Sequence, residues 1–273
     1  MQEAGKVYLV GAGPGDPELI TVKGAKLLQL ADVIVYDRLV NMELLRYAKP
    51  GTELIFCGKS PERHTMPQEE INRVLVFHAQ QGKTVVRLKG GDPSIFGRVG
   101  EEAAYCAKHG ISFEIVPGIT SGVAAPAYAG IPLTHRDLSS SVAIVTGHKR
   151  VDGEGDPVRW DQLATSVQTL VIYMGVGNLP FIREQLLAHG RPSDTPVALV
   201  RWGTLAKQET LVGTLDNIVE QVQKAKFKSP AIIVVGEVVR LREQLAWFES
   251  KQTAGERTEQ TEDGLPALKT VVV

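Results

Sequence analysis

Only two cysteines, Cys57 and Cys106, occur among 273 residues, too few for a disulfide framework or a zinc cluster, so they read as reduced thiols in or near a core. Neither sign of charge dominates: 30 Lys and Arg stand against 31 Asp and Glu, a formal net charge of −1, and no basic run gathers in one segment. Nucleic acid is therefore not expected as a partner, while a local anion site stays open. No apolar stretch reaches transmembrane length, and no basic n-region leads into an apolar h-region, so the expectation is a soluble, cytoplasmic protein with no membrane partner. HExxH, CxxC, GxSxG and Walker patterns are missing, and the six histidines lack ligand spacing. This disfavours metal hydrolysis, serine hydrolysis and P-loop phosphate chemistry, and no metal site is expected.

What the chain has is a repeated succession of short apolar runs, glycine-bearing turns and helical spacing, the pattern of an α/β protein. In the stretch Val85-Val86-Arg87-Leu88-Lys89-Gly90-Gly91-Asp92-Pro93, the strand run ends in two glycines that free the backbone to turn. Asp92 and Pro93 then predict a helix cap and first turn. Residues 6–10 likewise run into Gly11-Ala12-Gly13-Pro14-Gly15, with helical spacing over 18–30. The spacing departs from the dinucleotide fingerprint, and Pro14 removes an N–H that a phosphate cradle would use. A ligand without phosphate suits this turn better, and a simple tight turn explains its glycines equally well.

Further strands are predicted over 32–36, 52–57 and 111–116. Asp37-Arg38 follows the first of these, Gly58-Lys59 with Arg63 and His64 the second, and Pro117-Gly118-Ile119-Thr120-Ser121 the third. From this segment alone Asp37 serves equally as a functional acid, as cap of a helix near Asn41, or as partner of Arg38. Arg98, Glu101 and Glu102 open a helix over 98–108, as a solvated face or as a lining of a cleft. After a small-residue helix through Ala129, Gly130-Ile131-Pro132-Leu133-Thr134-His135-Arg136 interrupts the alternation, and a second series begins. Its strands, over 142–146, 169–173, 197–202 and 231–235, end at Gly147, Gly175, Gly203 and Gly236, and 208–212 is a candidate antiparallel strand. Helical spacing falls at 179–188, 215–224 and 238–248. The domains expected are 1–132 and 133–250, with 251–273 a mobile tail.

Val10-Gly11-Ala12-Gly13-Pro14-Gly15-Asp16, Tyr36-Asp37-Arg38-Leu39-Val40, the stretch 86–93, Val116-Pro117-Gly118-Ile119-Thr120-Ser121, Gly130 to Arg136, Val145-Thr146-Gly147-His148 and Tyr173-Met174-Gly175 follow one another. In that order the chain resembles the tetrapyrrole methylases. The resemblance implies two α/β domains with S-adenosylmethionine in an inter-domain cleft, a homodimer, and S-adenosylhomocysteine as by-product. Its motifs are most similar to those of members that methylate uroporphyrinogen III at C-2 and C-7 to give precorrin-2, on the way to sirohaem and cobalamin. Carried over by motif, the donor site comprises Pro14, Gly90, Gly91, Asp92, Ile95, Thr120, Ser121, Met174 and Gly203. Asp37 matches a proton acceptor and Lys59 a proton donor, while Arg98, Glu101 and Arg136 match residues of substrate handling or catalysis. Arg38, Lys59, Arg63, Arg98, Arg136 and Lys149 all fall near predicted strand ends, where they would form a cationic surface for the substrate's carboxylates. The rivals are a methylase of the same fold with another substrate, a nicotinamide- or flavin-dependent oxidoreductase using Gly11 to Gly15 and Asp37, and a silent donor-binding module.

Overall fold

The computed structural model describes residues 4–58, 66–148 and 158–249. Lys59, Arg63, His64 and Lys149, and the tail expected over 251–273, lie outside the described residues. The chain divides into two compact units, the first running to Thr120 and the second starting at Ser121, earlier than the division at residue 132 expected from sequence.

In the first unit, continuous apolar runs become β1 (Lys6–Gly11), β2 (Val33–Tyr36), β3 (Glu53–Phe56), β4 (Val85–Lys89) and β5 (Ser112–Val116). They are ordered β3-β2-β4-β1-β5, every neighbouring pair parallel, with Val10 level with Leu88 on one side and Val116 on the other. Crossovers carry α1 (Val22–Leu30), α2 (Gln68–Gln80) and α3 (Val99–Lys108). Because strand side chains alternate, Val7, Leu9, Val35 and Val85 pack with Leu75 of α2 and Cys106 of α3. Val10, Ile34, Val86 and Leu88 pack on the other face with Leu27 and Leu28 of α1. A parallel sheet covered on both faces explains why its central strands read as unbroken apolar runs. Both cysteines are buried, and burial pushes the Cys106 thiol up to about 11.

One expected helix starts late in this unit, and one expected cap closes a turn instead. After the first glycine turn, Asp16 accepts from the Glu18 amide and caps only a 3-10 turn, Pro17–Leu19; Thr21 then caps α1 through the Gly24 amide at 3.0 Å. Asp92 accepts from the Ser94 amide at 2.7 Å, closing a turn, and α3 waits until Val99. In both places an aspartate side chain bonds two residues ahead and competes with helix initiation.

The second unit contains β6 (Val142–Thr146), β7 (Thr169–Tyr173), β8 (Pro196–Arg201), β9 (Glu209–Thr214) and β10 (Ala231–Val235), ordered β6-β7-β10-β8-β9. Here β6 and β7 are parallel, while β10 runs antiparallel to both β7 and β8, and β9 antiparallel to β8. Its helices are α4 (Ser121–Tyr128), α5 (Trp160–Ser166), α6 (Leu179–Ala188), α7 (Ile218–Lys224) and α8 (Arg242–Leu245). The α5 segment has no counterpart in the sequence reading, and the helix expected over 238–248 is a 3-10 turn, Glu237–Leu241, followed by the single turn of α8. Ala125 of α4 and Ala129 just beyond it pack with Val171, Ala198, Val200 and Val234, which is why the small-residue helix belongs to this sheet. Among the described residues no helix is long and apolar enough to cross a membrane, and no group of three His, Cys, Asp or Glu residues is placed to hold a metal ion.

Gly122 sets how close α4 comes. Its amide donates to the Tyr173 hydroxyl at 2.5 Å, and a Cβ at this position would sit 2.5 Å from that oxygen. Gly122→Val is expected to lower stability by about 1–3 kcal/mol through overpacking, measured as a shift in urea midpoint; an unchanged midpoint would contradict the close packing of α4.

Candidate active site

All five strands of the first sheet point their carboxyl ends at one edge, where parallel sheets present their ligand loops. The loops after β1 and β4 are joined by backbone. Gly13 donates to Gly91 O at 3.2 Å, Gly91 donates to Gly13 O at 2.7 Å, and Ala12 donates to Lys89 O at 2.7 Å. Gly13 (φ +78°) and Gly91 (φ +71°) both occupy the left-handed region that this pairing demands. A Cβ on Gly11 would lie 2.6 Å from Gly118 Cα, so the loop after β5 is packed against the same junction. Asp92 fastens it there: one carboxylate oxygen takes the Ser94 amide and the other takes the Gly118 amide at 2.9 Å. Asn41 Nδ2 donates to Gly15 O at 2.7 Å and brings in the loop after β2, and the missing side chain of Gly90 makes room for Leu39.

Pro14, Asp37, Gly90, Gly91, Asp92, Ile95 and Thr120 therefore lie on this edge or in segments leaving it, as do Arg98 and Glu101 at the start of α3. Asp37 neither caps a helix nor pairs with Arg38. Its Oδ1 accepts the Leu39 amide at 3.0 Å, its Oδ2 is 3.5 Å from Arg87 Nη2, and Asn41 caps the following turn instead. Arg98, at φ +57°, turns its Nε and Nη2 onto the two carboxylate oxygens of Glu101, each at 2.7 Å. Both side chains of this pair are more than half exposed.

Beneath the edge is a cluster that sequence reasoning passed over. Glu102, next to Glu101, is completely buried, and its Oε1 accepts from Lys89 Nζ at 2.8 Å, Arg87 Nε at 3.2 Å and Gln68 Nε2 at 3.2 Å. Burial, and then the neighbouring Arg87 charge, push the Lys89 ammonium below its ordinary value. The signal was present in Val85-Val86-Arg87-Leu88-Lys89: a strand covered on both faces cannot hide two cations without counter-charges.

In the second unit β8 runs with β7, both being antiparallel to β10, so Gly147, Met174 and Gly203 share one edge while the Gly236 turn falls at the opposite one. Met174 (φ +55°), Trp202 (φ +51°) and Thr204 (φ +70°) hold left-handed backbone at these strand ends, a concentration of strain typical of binding loops. Gly203 lacks a side chain where Ala125 of α4 presses against it, and Ser121 opens α4. Arg136 departs from its expected place. It sits in the turn closed by His135 and Ser139, whose Ser139 hydroxyl bonds Thr169 at the amino end of β7, away from Met174 and Gly203. Of the cations expected at strand carboxyl ends, Arg38 and Arg98 are there; Lys59, Arg63 and Lys149 lie outside the described residues.

The first edge suits a ligand with adenosine-like apolar and polar faces better than one with a pyrophosphate. Pro14 and Pro17 offer no N–H, and the N-terminus of α1 is already capped by Thr21. Leu39, Phe96 and Ile119 stand exposed in the loops after β2, β4 and β5, and the absence of side chains at Gly90 and Gly91 lets a ligand lie close against the main chain there.

Residues 6–219 match the family model of tetrapyrrole (corrin/porphyrin) methylases. The uroporphyrinogen-III C-methyltransferase of Priestia megaterium is 60% identical over 235 residues, spanning 86% of this chain and 98% of that one. The siroheme synthase of Azotobacter vinelandii is 52% identical over 92% of this chain, which corresponds to 53% of that longer protein. Among solved structures, uroporphyrin-III C-methyl transferase from Thermus thermophilus complexed with S-adenyl homocysteine superposes with a TM-score of 0.73 at 43% identity, covering 87% of this chain and all of that one.

Neighbouring glutamates on α3 should behave differently on truncation. Glu102→Ala strands Arg87 and Lys89 and is expected to cost about 3–5 kcal/mol, whereas Glu101→Ala removes an exposed pair worth under about 1 kcal/mol. Urea unfolding of the two variants checks this, and equal losses would contradict the burial of Glu102.

Proposed function

The chain belongs to the tetrapyrrole (corrin/porphyrin) methylases, and on that premise we propose that it methylates uroporphyrinogen III at C-2 and C-7, giving precorrin-2 by way of precorrin-1. The observation that carries this reading is the 60% identity to a uroporphyrinogen-III C-methyltransferase along 98% of that enzyme. The joined glycine loops, with their lack of a phosphate cradle, support S-adenosylmethionine over a dinucleotide. The resemblance extends the proposal to a cytoplasmic homodimer.

When bound, the donor supplies an electrophilic methyl group on a sulfonium. Pro14, Gly90, Gly91, Asp92, Ile95, Thr120, Ser121, Met174 and Gly203 are the residues proposed to hold it. Transfer to an electron-rich pyrrole carbon is chiefly a matter of placement, so the rigidity of the bonded loops is itself the contribution. A proton must then leave the macrocycle. Of the two candidate carboxylates, Glu101 has both oxygens taken by Arg98 at 2.7 Å, while Asp37 accepts the Leu39 amide at Oδ1 and has only the longer 3.5 Å contact with Arg87 at Oδ2, its side chain being 28% exposed. Asp37 is the proposed base and Lys59 the proposed proton donor. Arg38 and Arg98 are proposed to meet the carboxylates of the substrate, with Glu101 keeping the Arg98 fork in position; Arg136, beside the amino end of β7, is not part of that proposal.

Incubation with uroporphyrinogen III and methyl-labelled S-adenosylmethionine should place two labels on each macrocycle, counted by mass spectrometry. Donor binding without any transfer would instead mark a silent binding module, and binding of NAD without S-adenosylmethionine would mark an oxidoreductase. Gly91→Val forces a β-branched residue into left-handed backbone at the junction. It should weaken donor affinity by on the order of tenfold or more in calorimetry; unchanged affinity would remove Gly91 from the donor site.

A further inference from the structure

Four charges are linked in series at the carboxyl end of β4 in the first unit: Lys89, Glu102, Arg87 and Asp37. Side-chain exposure is 6% for Lys89, none for Glu102 and 5% for Arg87, but 28% for Asp37, so of the four Asp37 alone reaches the surface appreciably. Arg87 is fixed at each nitrogen of its guanidinium. Nε donates to Glu102 Oε1 at 3.2 Å, Nη1 to the carbonyls of Leu88 at 3.0 Å and Val35 at 3.3 Å, and Nη2 faces Asp37 Oδ2 at 3.5 Å. Two cations and two carboxylates balance in net charge.

Stability alone accounts poorly for this arrangement. Buried ion clusters are commonly no more stabilising than an apolar core of equal volume, and this one leaves Glu102 Oε2 buried with no hydrogen-bond partner among the described residues. Its geometry does accomplish one thing at the surface. With the Leu39 amide on Oδ1 and a rigid guanidinium opposite Oδ2, the Asp37 carboxylate is held in one orientation.

We infer that Arg87 is a positioning residue for methyl transfer, its planar fork clamped by Glu102 and two strand carbonyls so that Nη2 fixes the direction of the Asp37 carboxylate. The inference rests on Asp37 being the base. A lysine keeps the positive charge but has a single nitrogen, so it cannot reach Glu102, both carbonyls and Asp37 together.

The test is a double-mutant cycle on turnover with uroporphyrinogen III and labelled S-adenosylmethionine, using Arg87→Lys, Asp37→Asn and the pair of substitutions together. Arg87→Lys should lower kcat by on the order of tenfold to a hundredfold, the cost of a misplaced catalytic group. Donor affinity by calorimetry and KM for the tetrapyrrole should stay within about twofold. In the Asp37→Asn background, whose residual turnover is read by radiolabel, the same substitution should have no further effect. Wild-type kcat in Arg87→Lys, or an undiminished loss in the Asp37→Asn background, overturns the inference. Wild-type kcat in Asp37→Asn overturns it together with the assignment of the base, whereas an inactive Asp37→Asn beside a fully active Arg87→Lys overturns the positioning role alone. If Arg87→Lys does not fold, Glu102→Gln, which keeps the side-chain shape and loosens the Nε clamp, is measured in its place against the same outcomes.

Discussion

Two glycines exchanging backbone hydrogen bonds beyond the end of a sheet hold the first unit's functional edge together. The pairing of Gly13 with Gly91 is an antiparallel bridge that joins the two loops leaving the parallel strands β1 and β4. Everything else at the edge is referred to that junction: Gly118 packs on it, Asp92 ties the β5 loop to it, and Asn41 ties the β2 loop to Gly15 beside it. A ligand approaching this edge meets main chain already committed to one shape. For a reaction governed by placement, such prior order lowers the entropy that binding must overcome.

Polar side chains at this edge divide into two kinds of work. Asp92 and Asn41 use their side chains to tie loop to loop, so their first contribution is to shape the surface. Asp37 and Arg98 retain exposed atoms, yet each is steadied by a partner, Arg87 for one and Glu101 for the other. The difference between Glu101 and Glu102 shows how local this division is. One residue of helix rotation separates a solvated ion pair from a carboxylate shared by three donors in the core.

Strand positions and their glycine turns were legible in the sequence because a parallel sheet covered on both faces needs unbroken apolar runs, and a strand end in a crowded edge needs residues without Cβ. The family was legible because motifs from both units recur in one order. The helix start at residue 18 and the cap at Asp92 were misjudged, because Asp16 and Asp92 bond two residues ahead and close turns, while the helix expected over 98–108 begins at Val99. Nothing in a period-2 pattern records strand direction, so the reversal of β10, and with it the separation of Gly236 from Gly147 and Gly203, waited for the structure. The burial of Arg87, Lys89 and Glu102 depended on pairing between β4 and α3, which no local window contains. Arg136 was placed by its distance from a strand that it precedes rather than follows.

The order β6-β7-β10-β8-β9 also governs how the second unit can be assembled during synthesis. Its central strand is the last to leave the ribosome. Until residues 231–235 emerge, β7 and β8 have no strand between them, and each presents an open row of backbone donors and acceptors beside apolar Leu170, Ile172, Val197 and Leu199. The first sheet has the same kind of gap, because β4 fills the place between β1 and β2 after both are made, but β5 then only adds to one side. Nascent chains are therefore exposed to mispairing in each unit until its middle strand emerges, β4 in the first and β10 in the second.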